Sequence, residues 1–451
     1  VAARGLLALF GLALLAAAAM TLRYLGAVPL AVGLTGLVAT AGLVLVSAWW
    51  WRGGQGVVLA ALVAAALGVF LADLALRAGL TGPAAPPAAG DIDPRTRREV
   101  VADLRASGVR AYPALLPSLV LRNDGSGGPR SRFSDAAGRE IMPLAGLPEV
   151  ETVFCREGRD WLVYRSDERG FNNPRGLWER PRLAAVVVGD SFVHGACVPS
   201  GRSFVDRLRR GAEGGVLALG MAGNGPLTEL ATLREYLPGL KTDHVIWVYF
   251  EGNDLLQDIG REAAAPLLLS ALQPGWRQDV EAARPDLDLQ VAAFLEAGLA
   301  DDPAAVETQV HETPAEAGLK SVLLLRRLRD RLGLVPGPGR DSVELFVEVI
   351  DQARRLAEAE GAHFHLVMLP SPRRYAGLGG RLSAELTAQR LKRGLSRLAG
   401  LSVIDLDPAF RADGSPDRLF QGFHYTEDGN ALVARIIARR LGDPWRAEPD
   451  R

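Results

Sequence analysis

The sequence predicts an α/β protein: a doubly wound, five-stranded parallel sheet with a helical insertion, preceded by three transmembrane helices. Three observations predict it. From residue 181 onward, short β-branched apolar runs alternate with stretches of helical periodicity, which is how parallel strands joined by crossover helices read. Three of those runs end abruptly in Gly, Asp or Asn. The apolar content, 48% of 451 residues with a mean hydropathy of +0.11, is concentrated at the start of the chain.

Residues 5–22, 27–51 and 56–80 are nearly uncharged, and each is long enough to cross a bilayer as a helix of about 18 to 25 residues. Arg23 and Tyr24 fall in the first break, and Trp49, Trp50, Trp51 and Arg52 in the second, as an interfacial belt would. Asp73 and Arg77 are four apart and can pair near a helix end. The positive charges do not set the orientation, since Arg4 and Arg52 lie on one side and Arg23 and Arg77 on the other. Residues 81–100 read as a proline-stiffened linker. Residues 101–180 read as a mixed lead-in region packing on the α/β domain, with β-like runs at 112–121 and 150–164 and a loop at 123–132.

Residues 181–451 form the α/β domain. Its strands are expected at 183–188, 216–219, 244–250, 363–369 and 401–406. Helices are expected at 203–210, 227–236, 343–360, 382–398 and 427–440. The interval 255–341 is too long for one crossover and reads as a helical insertion. Within it, Arg326, Arg327, Arg329 and Arg331 fit a solvated helix face.

A net charge of −1 gives no reason to expect nucleic acid as a partner. No Cys/His cluster has metal-ligand spacing, and nothing calls for a cofactor. The two cysteines, Cys155 and Cys197, either pair in an oxidising compartment or are both free.

Four motifs carry chemistry. The run 183–188 ends in Gly189-Asp190-Ser191, followed by Gly195. A serine at the carboxyl end of a parallel strand lies where open sheets bind ligands and is placed to act as a nucleophile. The second strand runs into Gly220, Gly223 and Gly225, where a backbone N–H can approach a developing oxyanion. The third ends in Gly252-Asn253-Asp254, whose Asn amide can supply another donor. His424 lies in a loop just before the last helix and is the histidine best placed to act as a base.

In this order, Gly-Asp-Ser, Gly, Gly-Asn-Asp and His, the motifs resemble the SGNH, or GDSL, hydrolase superfamily, from about residue 167 to the end. Ser166-Asp-Glu-Arg-Gly-Phe-Asn-Asn-Pro174 and Leu369-Pro-Ser-Pro372 are similar to membrane-linked bacterial members, many of which act on envelope glycans outside the cytoplasm. The resemblance implies a flavodoxin-like hydrolase domain, Ser191 as nucleophile and His424 as base. It also implies an oxyanion hole from the Ser191 and Gly223 N–H groups and the Asn253 side chain. The family's usual Asp, three residues before the histidine, is Gln421 here. Asp417 is the first candidate to orient His424 instead, with Asp405 and Asp407 as alternatives; without one, the pair works as a Ser–His dyad.

The implied function is a membrane-anchored serine esterase in the bacterial inner membrane, with its catalytic domain periplasmic. Its substrate would be an acylated, in particular O-acetylated, glycan, lipid or small ester, and the bilayer its other partner. The alternatives are an O-acetyltransferase using the same serine chemistry, and a non-catalytic glycan-binding or assembly protein with a degenerate site.

Overall fold

A computed structural model of the chain describes residues 93–123, 128–156, 160–298, 338–375, 378–442 and 445. The three expected spans and the arginine-bearing stretch at 319–332 lie outside these residues. No helix among the described residues is long and apolar enough to cross a membrane. The chain divides into two compact units. One comprises residues 90–311, 340–375 and 388–451; the described residues of the other are 338–339 and 378–387.

The larger unit is built on five parallel strands: β1 (Leu183–Gly189), β2 (Val216–Gly220), β3 (Thr242–Phe250), β4 (His363–Leu369) and β5 (Ser402–Asp405). Their order across the sheet is β5-β4-β3-β1-β2, so successive connections run in opposite directions from β1. All seven residues of β1 are buried, because helices cover both faces. Val186 and Val188 face one core with Leu227, Leu230, Phe346 and Ile350. Ala185 and Val187 face the other with Phe204, Leu208, Val433 and Ile437.

The helices follow the expected periodicity. They are α1 (Ser191–His194), α2 (Phe204–Gly211), α3 (Pro226–Tyr236), α4 (Arg340–Ala359), α5 (Leu378–Leu395) and α6 (Glu427–Leu441). Ser203 and Thr426 cap α2 and α6 by accepting the N–H groups of Asp206 and Gly429. α3 is buried along its whole length because the insertion covers the side that α4 leaves open. The described part of the insertion begins with a π turn, Asp254–Asp258, and a short helix, Ile259–Ala263, and continues to the helix Val280–Glu296. It meets the polar groups of α3. Arg234 donates to the Ala271 carbonyl at 2.6 Å, and Glu235 accepts the Val280 N–H at 2.8 Å.

The lead-in differs from expectation in three places, the first being a helical turn, Pro117–Val120, inside the expected β-like run 112–121. The expected linker is helical from Arg97, in a helix Arg97–Ala106 started by a Thr96/Glu99 capping box; Thr-x-x-Glu is a sequence signal for a helix start. The expected loop at 123–132 contains an antiparallel pair, Leu121–Asn123 with Pro129–Ser131. The other β-like runs supply a three-stranded sheet with Glu151–Val153 between Ala111–Pro113 and Val163–Arg165.

The motif at 166–174 anchors this region. Asp167 is fully buried and accepts from the N–H groups of Arg169 and Phe171, the Asn173 amide and the Trp178 indole. The Asn173 amide also accepts the Ala218 N–H at 2.8 Å and donates to the Ala218 carbonyl at 3.0 Å. A side chain thereby supplies the hydrogen bonds that the edge strand β2 would otherwise lack.

Cys155 and Cys197 form a disulfide with Cα atoms 5.5 Å apart. It joins the loop after α1 to the lead-in sheet and closes a chain segment of 42 residues. A cross-link of that span lowers the entropy of the unfolded chain enough to contribute about 2–4 kcal/mol. Cys155→Ser/Cys197→Ser is expected to lose that much in denaturant unfolding, and the wild type to move to the same midpoint under reductant. An unchanged midpoint in both would show that the bond adds nothing.

Candidate active site

β1 pairs with β2 through Gly189 and Gly220 and with β3 through Val188 and Trp247. This register brings the loops after β1, β2 and β3 together at one edge. The connections diverge between β1 and β3, and such a switch point opens a crevice at the carboxyl ends of the strands.

Ser191 is the first residue of α1, 7% exposed. Asp190 caps that turn by accepting the Phe192 N–H at 3.0 Å, and Gly195 ends it in the left-handed conformation at φ 84°. His424 arrives from the far end of the chain. It follows the two-residue turn of a short hairpin, Phe420–Gln421 with His424–Tyr425. Tyr425 anchors the hairpin by donating to the Pro370 carbonyl at 2.7 Å. His424 Nε2 lies 2.9 Å from Ser191 Oγ, within the reach a general base needs. A hydroxyl donating to an unprotonated Nε2 would satisfy this bond.

Gly223 sits after β2 with φ 86°, a conformation other residues adopt only with strain. Among the described residues, neither the Ser191 N–H nor the Gly223 N–H has an acceptor. Asn253 donates through Nδ2 to Asp190 Oδ2 at 3.3 Å, which brings its amide to the same edge. The structure thus brings His424 to Ser191 and Asn253 to the neighbouring Asp190, with Gly223 on the loop after β2 at the same sheet edge.

Asp417 is not part of this group. It lies in the turn Pro416–Leu419, exposed, and makes no hydrogen bond or ion pair with His424. The turn directs its side chain to solvent while Leu419 is buried. The other two acids are engaged elsewhere. Asp405 accepts from Lys392 at 2.7 Å, and Asp407 from the Tyr375 hydroxyl at 2.9 Å and from Arg411 at 3.0 Å. Gln421 pairs with His424 in backbone register, but its amide makes no hydrogen bond to the imidazole. Burial pushes the Asp190 carboxyl up, and the Phe192 N–H, the His424 charge and the Asn253 amide oppose that rise.

Two features had no sequence signal beyond the residue types. His194, three residues after the serine, is buried and burial pushes its imidazole down to about 3, so it is neutral. Its Nδ1 accepts the Ala222 N–H at 3.0 Å; Nε2 therefore carries the proton and donates to the Tyr164 hydroxyl at 2.6 Å. The ring stacks on Phe154 with centroids 3.9 Å apart. This histidine ties the loop before Gly223 to the lead-in sheet.

The second is a group of buried acids behind the site: Glu229, Asp254, Asp258 and Glu262. Burial pushes the Asp258 carboxyl up to about 7, against the pull of Arg261. Glu229 is fully buried, and among the described residues neither of its carboxyl oxygens has a partner. Burial raises it well above the ordinary range, reinforced by the charges of Asp254, Asp190, Glu262 and Asp258.

No family model and no curated protein matches the chain. Among solved structures it is similar to the crystal structure of a member of the lipolytic protein G-D-S-L family from Veillonella parvula DSM 2008. The identity is 14%, over 58% of this chain and 98% of that chain, with a TM-score of 0.32. A likeness that low carries no argument about function, which rests on the geometry above.

Two predictions follow from these positions. Asp417→Asn should leave turnover of an ester substrate within about twofold of wild type, since exposed polar changes rarely disturb a site they do not touch; a loss of a hundredfold or more would restore it as the orienting acid. Folded Glu229 retains a proton that the unfolded chain releases above pH 4.5, so stability falls as pH rises through and above that value. Glu229→Gln removes its share of that slope. The variant's melting temperature should gain on wild type steadily between pH 5 and pH 8, and parallel curves would count against a protonated Glu229.

Proposed function

We propose that this chain is a serine ester hydrolase of the SGNH, or GDSL, type. The observation that carries the reading is the 2.9 Å bond between Ser191 Oγ and His424 Nε2.

A serine hydroxyl is scarcely ionised at neutral pH, so it needs a base at bonding distance. As Oγ attacks an ester carbonyl, its proton passes to Nε2 and the carbonyl electrons move onto oxygen. The Ser191 and Gly223 N–H groups, with the Asn253 amide, stabilise that oxyanion; one such donor typically lowers the barrier by ~3 kcal/mol. Collapse expels the alcohol, which takes the proton from His424 and leaves Ser191 acylated. Water then attacks the acyl-enzyme, giving its proton to His424, and a second collapse releases the acid and returns the proton to Ser191. The pair works without an Asp three residues before the histidine, where Gln421 stands.

The substrate we propose is an O-acetylated or otherwise acylated glycan of the cell envelope. The three apolar segments before residue 81 support a chain anchored in the inner membrane with this domain outside the cytoplasm. The Cys155–Cys197 disulfide fits an oxidising compartment.

The test is labelling of the purified protein with a fluorophosphonate, together with turnover of a short aryl ester. Wild type should react with both. Ser191→Ala should label with neither reagent nor turn over, its rate falling by roughly 10³-fold or more while its melting temperature stays close to wild type. Retained turnover by the folded variant would sink the assignment.

A further inference from the structure

We infer that Arg261 and Glu262, adjacent residues of the insertion, are positioning residues that hold the Gly223 N–H toward the reacting carbonyl. This rests on the serine-esterase reading and extends it to the insertion.

The peptide groups of the loop after β2 are held from two sides. Buried N–H and C=O groups need partners. Ala222 N–H donates to His194 Nδ1 at 3.0 Å, Asn224 N–H to the Met221 carbonyl at 3.1 Å, and Gly225 N–H to Glu262 Oε1 at 2.8 Å. Gly223 N–H, in the middle of this series, is the one without an acceptor among the described residues.

What fixes its direction is the peptide that follows. Arg261 Nη2 donates to the Gly223 carbonyl at 3.0 Å and is itself held by Asp258 Oδ1 at 2.9 Å. Glu262 Oε2 accepts the N–H of Leu227 at 2.8 Å and of Thr228 at 3.3 Å, and Glu262 also bonds the Thr228 hydroxyl. α3 has no capping side chain of its own at Gly225, so Glu262 caps it from another element. A cation thus grips the loop's carbonyl and the next residue, an anion, grips its N–H groups. The approach is close: a Cβ on Gly225 would lie 2.7 Å from Asp258 Cβ and Glu262 Cδ.

His194 fixes the loop from the side of the lead-in, and Arg261 and Glu262 fix it from the insertion. With the peptides on both sides held, Gly223 N–H can turn only by a flip of the single peptide between them. An oxyanion donor is effective because it is already oriented before charge develops, and a misplacement of about 1 Å can cost about 100-fold.

The experiment compares wild type, Arg261→Met, Arg261→Lys and Glu262→Gln. It measures kcat and KM for a short aryl ester, the Ki of a boronic acid that forms a tetrahedral anionic adduct on serine, and the melting temperature. Arg261→Met is expected to lower kcat about 10- to 100-fold with KM within about threefold, and to raise the boronate Ki in parallel. Arg261→Lys, which can still donate to the Gly223 carbonyl, should recover most of both. A kcat within twofold of wild type for folded Arg261→Met overturns the inference. So does a kcat loss with no change in boronate affinity, which would mark a merely structural role. Should Arg261→Met fail to fold, Glu262→Gln carries the test with the same expected split and the same overturning results. A wild type that neither turns over esters nor labels with fluorophosphonate removes the esterase reading, and this inference falls with it. An active wild type with an equally active Arg261→Met removes the inference alone.

Discussion

The site depends on the parallel register of β1 between its two neighbours. Hydrogen bonding of β1 to β2 on one side and β3 on the other fixes the level at which three loops leave the sheet. A slip of one residue would turn every side chain of β1 to the opposite face, exchanging Val186 and Val188 for Ala185 and Val187 in two differently packed cores. That penalty locks the register. Ser191, Gly223 and Asn253 inherit their relative positions from it. His424 is the exception, since it comes from a hairpin outside the sheet and is held by Tyr425 and the cap of α6.

The rest of the molecule is arranged around the polar groups that this edge exposes. A loop that must present an N–H without an acceptor has to satisfy its other peptide groups from elsewhere. Here the lead-in supplies His194 with Tyr164 behind it, and the insertion supplies Arg261 and Glu262. The same two regions meet the sheet edge and the buried polar side chains of α3. Additions to a five-stranded core therefore complete its hydrogen bonding as well as its apolar burial.

This arrangement concentrates acids behind the site. Five carboxyls, those of Asp190, Glu229, Asp254, Asp258 and Glu262, are buried. Glu262 is met by N–H groups and Asp258 by Arg261. Glu229 is met by no partner among the described residues, and a neutral carboxylic acid is the form that low-dielectric surroundings favour. Burial pushes the Asp190 carboxyl up as well, and Asp190 is among the neighbours that raise Glu229, which links the electrostatics of the Ser191 turn to the insertion.

The sequence by itself determined the strands, the helices and three corners of the site. β-branched runs and 3.6-residue periodicity are local properties, and Gly189-Asp190-Ser191, Gly223 and Gly252-Asn253 stand at strand ends wherever those strands pair. Even the missed helix at Arg97 carried its Thr96/Glu99 signature. Tertiary structure alone decided that Asp417, seven residues before His424, faces solvent, because sequence spacing says nothing about where a turn points. It alone decided that the two cysteines meet, that Asn173 serves the edge of β2, and that Arg261 and Glu262 grip the loop after β2. Each is a contact between elements distant in the chain, made by ordinary residue types whose roles depend on what packing places beside them.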